Sequence, residues 1–168
     1  METSPAPRPL DPLVKTALTI CIGLIVITVV GMILTAPDRS IPPYSVMAQM
    51  GESVTVNVPP RTTAPEIEAL LVRFQAAAHG NRDGFARLKI MPTTPGDPAG
   101  RYQRLTIYVF DNVGLAEEPS LKAYVSGADP LARSSFERGV RGIYRLTAGM
   151  EYGAVGAKVL FQGKLGGG

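Results

Sequence analysis

Tryptophan is absent from this 168-residue chain, and cysteine and histidine occur once each, as Cys21 and His79. One thiol cannot close an intrachain disulfide, so the fold must stand on packing alone. A single histidine and a single cysteine cannot supply the donor sets of zinc, haem or iron–sulfur sites, and no cofactor is expected. Also missing are a Gly-rich loop ending in Lys-Ser or Lys-Thr, a G-x-G-x-x-G turn, a G-x-S-x-G elbow and an H-E-x-x-H pair. The phosphate-cradling, nucleophilic and metalloprotease chemistries read from those spacings therefore have no signature here. Charge is scarce as well: 18% of residues are charged, against about a quarter in an ordinary soluble domain.

That deficit has a local cause. Between Lys15 and Asp38 no residue carries a charge, and Ile, Leu and Val fill most of the run. The run meets the length of about 20 residues that a helix needs to cross the hydrocarbon layer. It has no polar face, so it does not read as a core helix of a small protein. A cleaved signal peptide fits poorly, because its apolar region is shorter and ends in small residues. Here the only cleavage candidate, Leu34-Thr35-Ala36, has a bulky outer residue and is followed by Pro37. Cys21 stands early in the run, where a lipidated cysteine would close it. Residues 16–36 are thus expected to form an uncleaved, single-pass transmembrane helix. Arg8 and Lys15 precede it and Arg39 follows closely, which favours a cytoplasmic N-terminus and a periplasmic domain at an inner membrane.

Four further regions follow from composition. Residues 1–15 read as a Pro-rich arm and 37–51 as a linker broken by Pro42-Pro43. The apolar Ile41, Tyr44, Val46, Met47 and Met50 in that linker are expected to lie on the domain, at the headgroup level or on a neighbouring subunit. Residues 52–152 are expected to form an α+β domain. Val54, Val56 and Val58 alternate as a half-buried strand. Thr63-Ala64-Pro65-Glu66 has the capping-box form ahead of a helix whose Ile67, Leu70, Leu71 and Phe74 share a stripe. Strands are predicted over Phe85–Met91 and Gln103–Phe110, either a short fourth strand or a helical turn over Leu121–Ser126, and a Gly-weakened helix from Leu131 to about Tyr152. Tyr108 and Phe110 on the second face of their strand predict that it is central or half-covered. This βαββ(β)α order predicts a small antiparallel sheet with helices on one face. It resembles a ferredoxin-like layer in topology, by element order alone, and carries no activity with it. Residues 153–168 read as a Gly-rich tail without periodicity. Val159-Leu160-Phe161-Gln162-Gly163 resembles the recognition sequence of a viral 3C-type protease, departing from it at Lys164, so the tail reads as either a native end or an engineered remnant.

The search for chemistry yields candidates without partners. His79 sits beside Gly80 at a helix end, where partial positive charge suits the dipole, and has no acid or nucleophile near it in sequence. Asp111 in Phe110-Asp111-Asn112 fits a turn, and Glu117-Glu118 fits a solvated pair. No catalytic, cofactor-binding or metal-binding residue is assigned. Contact residues are better supported. Thr19, Gly23, Gly31 and Thr35 fall on one narrow stripe of the membrane helix, as small residues do where helices pack in lipid. Residues 130–168 carry six basic and two acidic groups. Arg138, Arg141 and Arg145 are predicted to share a helical face suited to an acidic protein surface or anionic headgroups. No aromatic interleaving accompanies them, so nucleic acid is not an expected partner. The sequence thus predicts a non-catalytic, membrane-anchored accessory subunit of a larger membrane complex, respiratory or photosynthetic in kind, its partners being other subunits and the bilayer. The alternatives are a membrane-tethered envelope module that binds a ligand or peptide at its sheet edge, and a membrane-tethered enzyme using Asp111 or the Glu117-Glu118 pair.

Overall fold

The structure is a computed structural model that describes residues 12–35, 41–80, 84–91, 102 and 104–164. The chain divides into two compact units, Met1–Asp38 and Arg39–Gly168. The first contains one helix, α1 (Pro12–Thr35). Its described side chains, Leu18 and residues 20–32, are all exposed, and they point outward on every side of the helix. Thr28 is polar but donates its hydroxyl back to the Leu24 carbonyl at 2.8 Å, so the helix satisfies it internally. Among the described residues no helix is long and apolar enough to cross a membrane. The expectations for Thr19 and Thr35 fall on side chains outside the described residues, as do the arm before residue 12 and the segment 36–40.

The second unit is α+β, built on one mixed six-stranded sheet whose strand order follows the chain, β1-β2-β3-β4-β5-β6. β1 (Ser45–Met50) and β2 (Ser53–Asn57) form an antiparallel pair. α2 (Ala64–His79) and the short α3 (Gly84–Arg87) follow, and β3 (Arg104–Phe110) then lies parallel to β2. Next come α4 (Val113–Ala116), α5 (Glu118–Ser126) and α6 (Pro130–Gly139). The chain closes with an antiparallel meander of β4 (Gly142–Thr147), β5 (Met150–Val155) and β6 (Lys158–Lys164).

Strand alternation sends residues to two separate cores. Leu105, Ile107 and Val109 of β3 join Val54, Val56, Tyr144 and Leu146 beneath α2. Tyr108 and Phe110 join Ala48 on the opposite face, covered by Ala116, Leu121 and Phe136 of α4–α6. Ile67, Leu70, Leu71 and Phe74 of α2 are completely buried, each contributing about 1.5–3 kcal/mol relative to exposure. Both the amide and the hydroxyl of Thr63 donate to one Glu66 carboxylate oxygen at 2.7 Å, which holds the start of α2.

Several expectations are corrected here. The sheet is mixed, not antiparallel, and helices cover both faces, so the ferredoxin-like order is not the one observed. The linker assigned to 37–51 contributes β1: Ile41, Tyr44 and Val46 pack on one core and Met47 and Met50 on the other. Phe85–Met91 is not a strand, because Phe85 and Leu88 are buried at helical spacing in α3 and the turn after it. Leu121–Ser126 belongs to α5. The predicted long helix ends at Gly139, and residues 142–164 form three strands. The β4–β5 hairpin turns at Ala148 and Gly149, both at positive φ (48° and 78°), as tight two-residue hairpins demand. The supposed tail is therefore structural. The Phe161 ring lies over Gly153, where a Cβ would come within 2.3 Å of it.

Candidate functional site

The best-built polar cluster lies where the end of α2 meets β4 and β5. Glu151 pairs with Leu146 in the sheet and so points to the α2 side, where it is 3% exposed. An isolated buried carboxylate costs several kcal/mol, and the surrounding donors offset that cost. The fully buried Tyr144 donates its hydroxyl to Glu151 Oε1 at 2.7 Å. His79 Nε2 lies 2.6 Å from Oε2, and Gln75, one helical turn earlier, donates to the same oxygen at 3.3 Å. Burial, reinforced by the carboxylate that accepts its proton, pushes the Tyr144 hydroxyl far up, so this group stays a donor. His79 is 40% exposed and forms the solvent side of the cluster.

The arrangement orients an imidazole and pins α2 to β5. General acid–base chemistry needs in addition a reacting group within reach. Among the described residues no serine, threonine or cysteine side chain takes part in the cluster. No group of three or more His, Cys, Asp or Glu among the described residues could hold a metal ion.

His79 closes α2, as the sequence indicated, but its acid comes from Glu151, far along the chain. Only the assignment of β5 as a strand, with Glu151 on its inward phase, could have signalled that pairing. Asp111 follows β3 and forms an ion pair with Arg141. Glu117 and Glu118 are exposed at the start of α5. The basic stripe is corrected: Arg138 ends on α6 and donates to the Ser134 carbonyl, Arg141 follows the helix, and Arg145 belongs to β4. The three do not share a helical face. Arg145 instead approaches the Tyr108 hydroxyl, which burial and the adjacent Tyr124 push up. Around it, Tyr124 stacks on Phe136 at 4.3 Å, with Arg133 over the Tyr124 ring. In α1, a Cβ added at Gly23 would meet open space. No protein-family model, curated protein or solved structure matches this chain.

Proposed function

We propose that this protein is a non-catalytic, single-pass membrane-anchored accessory subunit of a larger membrane complex. Its N-terminus lies in the cytoplasm and its α+β domain in the periplasm. The observation that carries this reading is α1, whose described side chains are apolar on every side and exposed, with the lone hydroxyl of Thr28 returned to the helix. Such a surface calls for lipid or partner helices, and the charge-free sequence from residue 16 to 37 supplies a bilayer's worth of it. The domain supports the non-catalytic part, since the Tyr144, His79 and Gln75 contacts to Glu151 tie α2 to the sheet. Gly23, Gly31 and, by sequence, Thr19 and Thr35 give the close-packing face toward partner helices. Arg138 and Arg145 offer charge to acidic protein surfaces or anionic headgroups, whereas Arg141 is engaged with Asp111. A second reading, a tethered peptide-binding module, is favoured by β6 alone, an edge strand whose residues are exposed or half-exposed.

Purification in mild detergent tests the first reading. The chain should travel in a large particle, and Gly23→Ile and Gly31→Ile should each weaken its retention while Leu24→Ile and Val30→Ile do not. Protease added to spheroplasts should remove the domain. A monodisperse monomer, or equal retention of all four variants, would refute packing through α1, and a protected domain would reverse the topology.

A further inference from the structure

Several basic side chains of the domain are matched to acids: Arg133 to Glu137, Arg141 to Asp111 and Lys158 to Glu68. Arg73, Arg87 and Lys89 are not, for no carboxylate among the described residues pairs with them. They line two cavities that share Arg87 and Leu88 in their walls. One, of about 270 Å³, lies between α2 and α3 and is lined by Arg73 and Arg87 above small residues, Gly80 and Gly84 among them. The other, of about 310 Å³, is lined by Tyr44, Ser45, Arg87 and Lys89. Arg87 stands in the wall of both, and no described carboxylate lines either.

The local backbone is shaped around these cavities. Gly84 approaches α2 so closely that a Cβ would lie 2.3 Å from the Ala77 carbonyl oxygen, which keeps the floor of the first cavity free of side chain there. Lys89 is held at φ 61°, a left-handed conformation that a lysine rarely adopts. The Lys89 amide donates to Ala86 and the Ile90 amide to Phe85, and the buried Phe85 and Ile90 fix the turn from both sides. These two bonds and the apolar contact make a helix C-terminal turn with Lys89 at its left-handed position, which fixes where the lysine leaves the backbone beside the second cavity. The field of Arg73 reaches the second cavity: burial raises the Tyr44 hydroxyl and Arg73 opposes that rise.

We propose that the two cavities form one binding site for a phosphate-monoester anion, gripped by Arg73, Arg87 and Lys89, with the Tyr44 and Ser45 hydroxyls as further donors. Guanidinium forks match phosphoryl oxygens two at a time, and a lysine adds a point charge. Three cations around this much space exceed the need of a lone carboxylate and suit a group with near-double charge and three terminal oxygens. That group is carried on a soluble phosphorylated compound or on a lipid headgroup.

Full-length protein in a nonionic detergent tests the site, with inorganic phosphate and phosphatidic acid micelles as the two probes. Phosphate should raise the thermal midpoint, with chloride at equal ionic strength giving no such rise. Arg87→Gln should weaken the apparent affinity about tenfold, the equivalent of one charge-assisted contact. Lys122→Gln, exposed on α5 over the other face of the sheet, should leave it unchanged. Lys89→Gly should raise the midpoint without phosphate, because glycine accepts the left-handed angle, and should lower the affinity. A merely structural lysine would give the first effect without the second. Micelle binding displaced by phosphate identifies a headgroup ligand, and a phosphate response without micelle binding identifies a soluble one. The proposal is overturned if neither probe binds, or if Arg87→Gln and Lys89→Gly respond to both as the wild type does.

Discussion

Replacing Glu151 with alanine isolates the cluster that joins α2 to the sheet. The substitution leaves the Tyr144 hydroxyl without an acceptor in a position that water does not reach. A buried donor orphaned in this way costs about 1–3 kcal/mol. Losing the buried γ-methylene adds about 0.8 kcal/mol. Removing a desolvated charge returns part of this, while His79 and Gln75 lose a partner but retain access to solvent. The net expectation is a loss of about 3 kcal/mol, inside the range for breaking a buried pair. For a unit of this size that corresponds to a fall of about 10–15 °C in the thermal midpoint. Glu151→Gln keeps an acceptor for Tyr144 and most of the volume, so it should cost about 1 kcal/mol. Calorimetry or circular dichroism on the full chain in detergent reads both values. A Glu151→Ala protein within about 1 kcal/mol of the wild type would refute the reasoning. So would a glutamine variant that is less stable than the alanine one.

Two further perturbations address other parts of the domain. Gly153→Ala places a methyl 2.3 Å from the Phe161 ring, which must swing off β5. Because β6 is an edge strand that can yield, the expected cost is about 1–2 kcal/mol, with faster amide exchange confined to β6; exchange unchanged there would contradict the packing described. Glu66 is held below the usual carboxylate range, first by the Thr63 amide and then by its hydroxyl. Since the folded group binds its proton less readily than the unfolded one, its contribution is present above the unfolded value near pH 4 and is lost as pH falls through the folded one. Helicity should fall on acidification, and Glu66→Gln should flatten that acid branch; an identical branch in the variant would remove the cap from the account.

Part of the first half of the domain was legible in its sequence, although β1 was read as a linker and Phe85–Met91 as a strand. Val54, Val56 and Val58, the stripe from Ile67 to Phe74, and Tyr108 and Phe110 facing away from Leu105 and Ile107 each follow one period without competition. The second half was not. Phe136, Val140, Ile143 and Tyr144 fall at helical spacings by coincidence, and they span the junction where α6 gives way to β4. The stronger signal was local: Ala148-Gly149 is a hairpin turn, and Tyr144 and Leu146 alternate up to it. Glycines at 153, 156 and 163 suggested a tail, although Gly153 is where Phe161 finds its seat. The cluster around Glu151 was invisible for the same reason, because a carboxylate turned inward means nothing until its strand is placed. Arg73, Arg87 and Lys89 were scattered in sequence, and only the meeting of α2, α3 and β1 gathers them.

A sheet whose strand order repeats its chain order also orders the events of its folding. Three of its five pairings, β1–β2, β4–β5 and β5–β6, join strands linked by short turns, so each closes with little loss of chain entropy. The parallel pairing of β2 with β3 must wait for residues 58–103, including α2, to be gathered between them, and the antiparallel pairing of β3 with β4 for residues 111–141 with α4–α6. The β4–β6 meander can therefore assemble early, and the β2–β3 seam sets the pace. Substitutions at Val54, Val56 or Ile107 along that seam should slow folding, while those at Val159 or Leu160 in β6 should chiefly hasten unfolding.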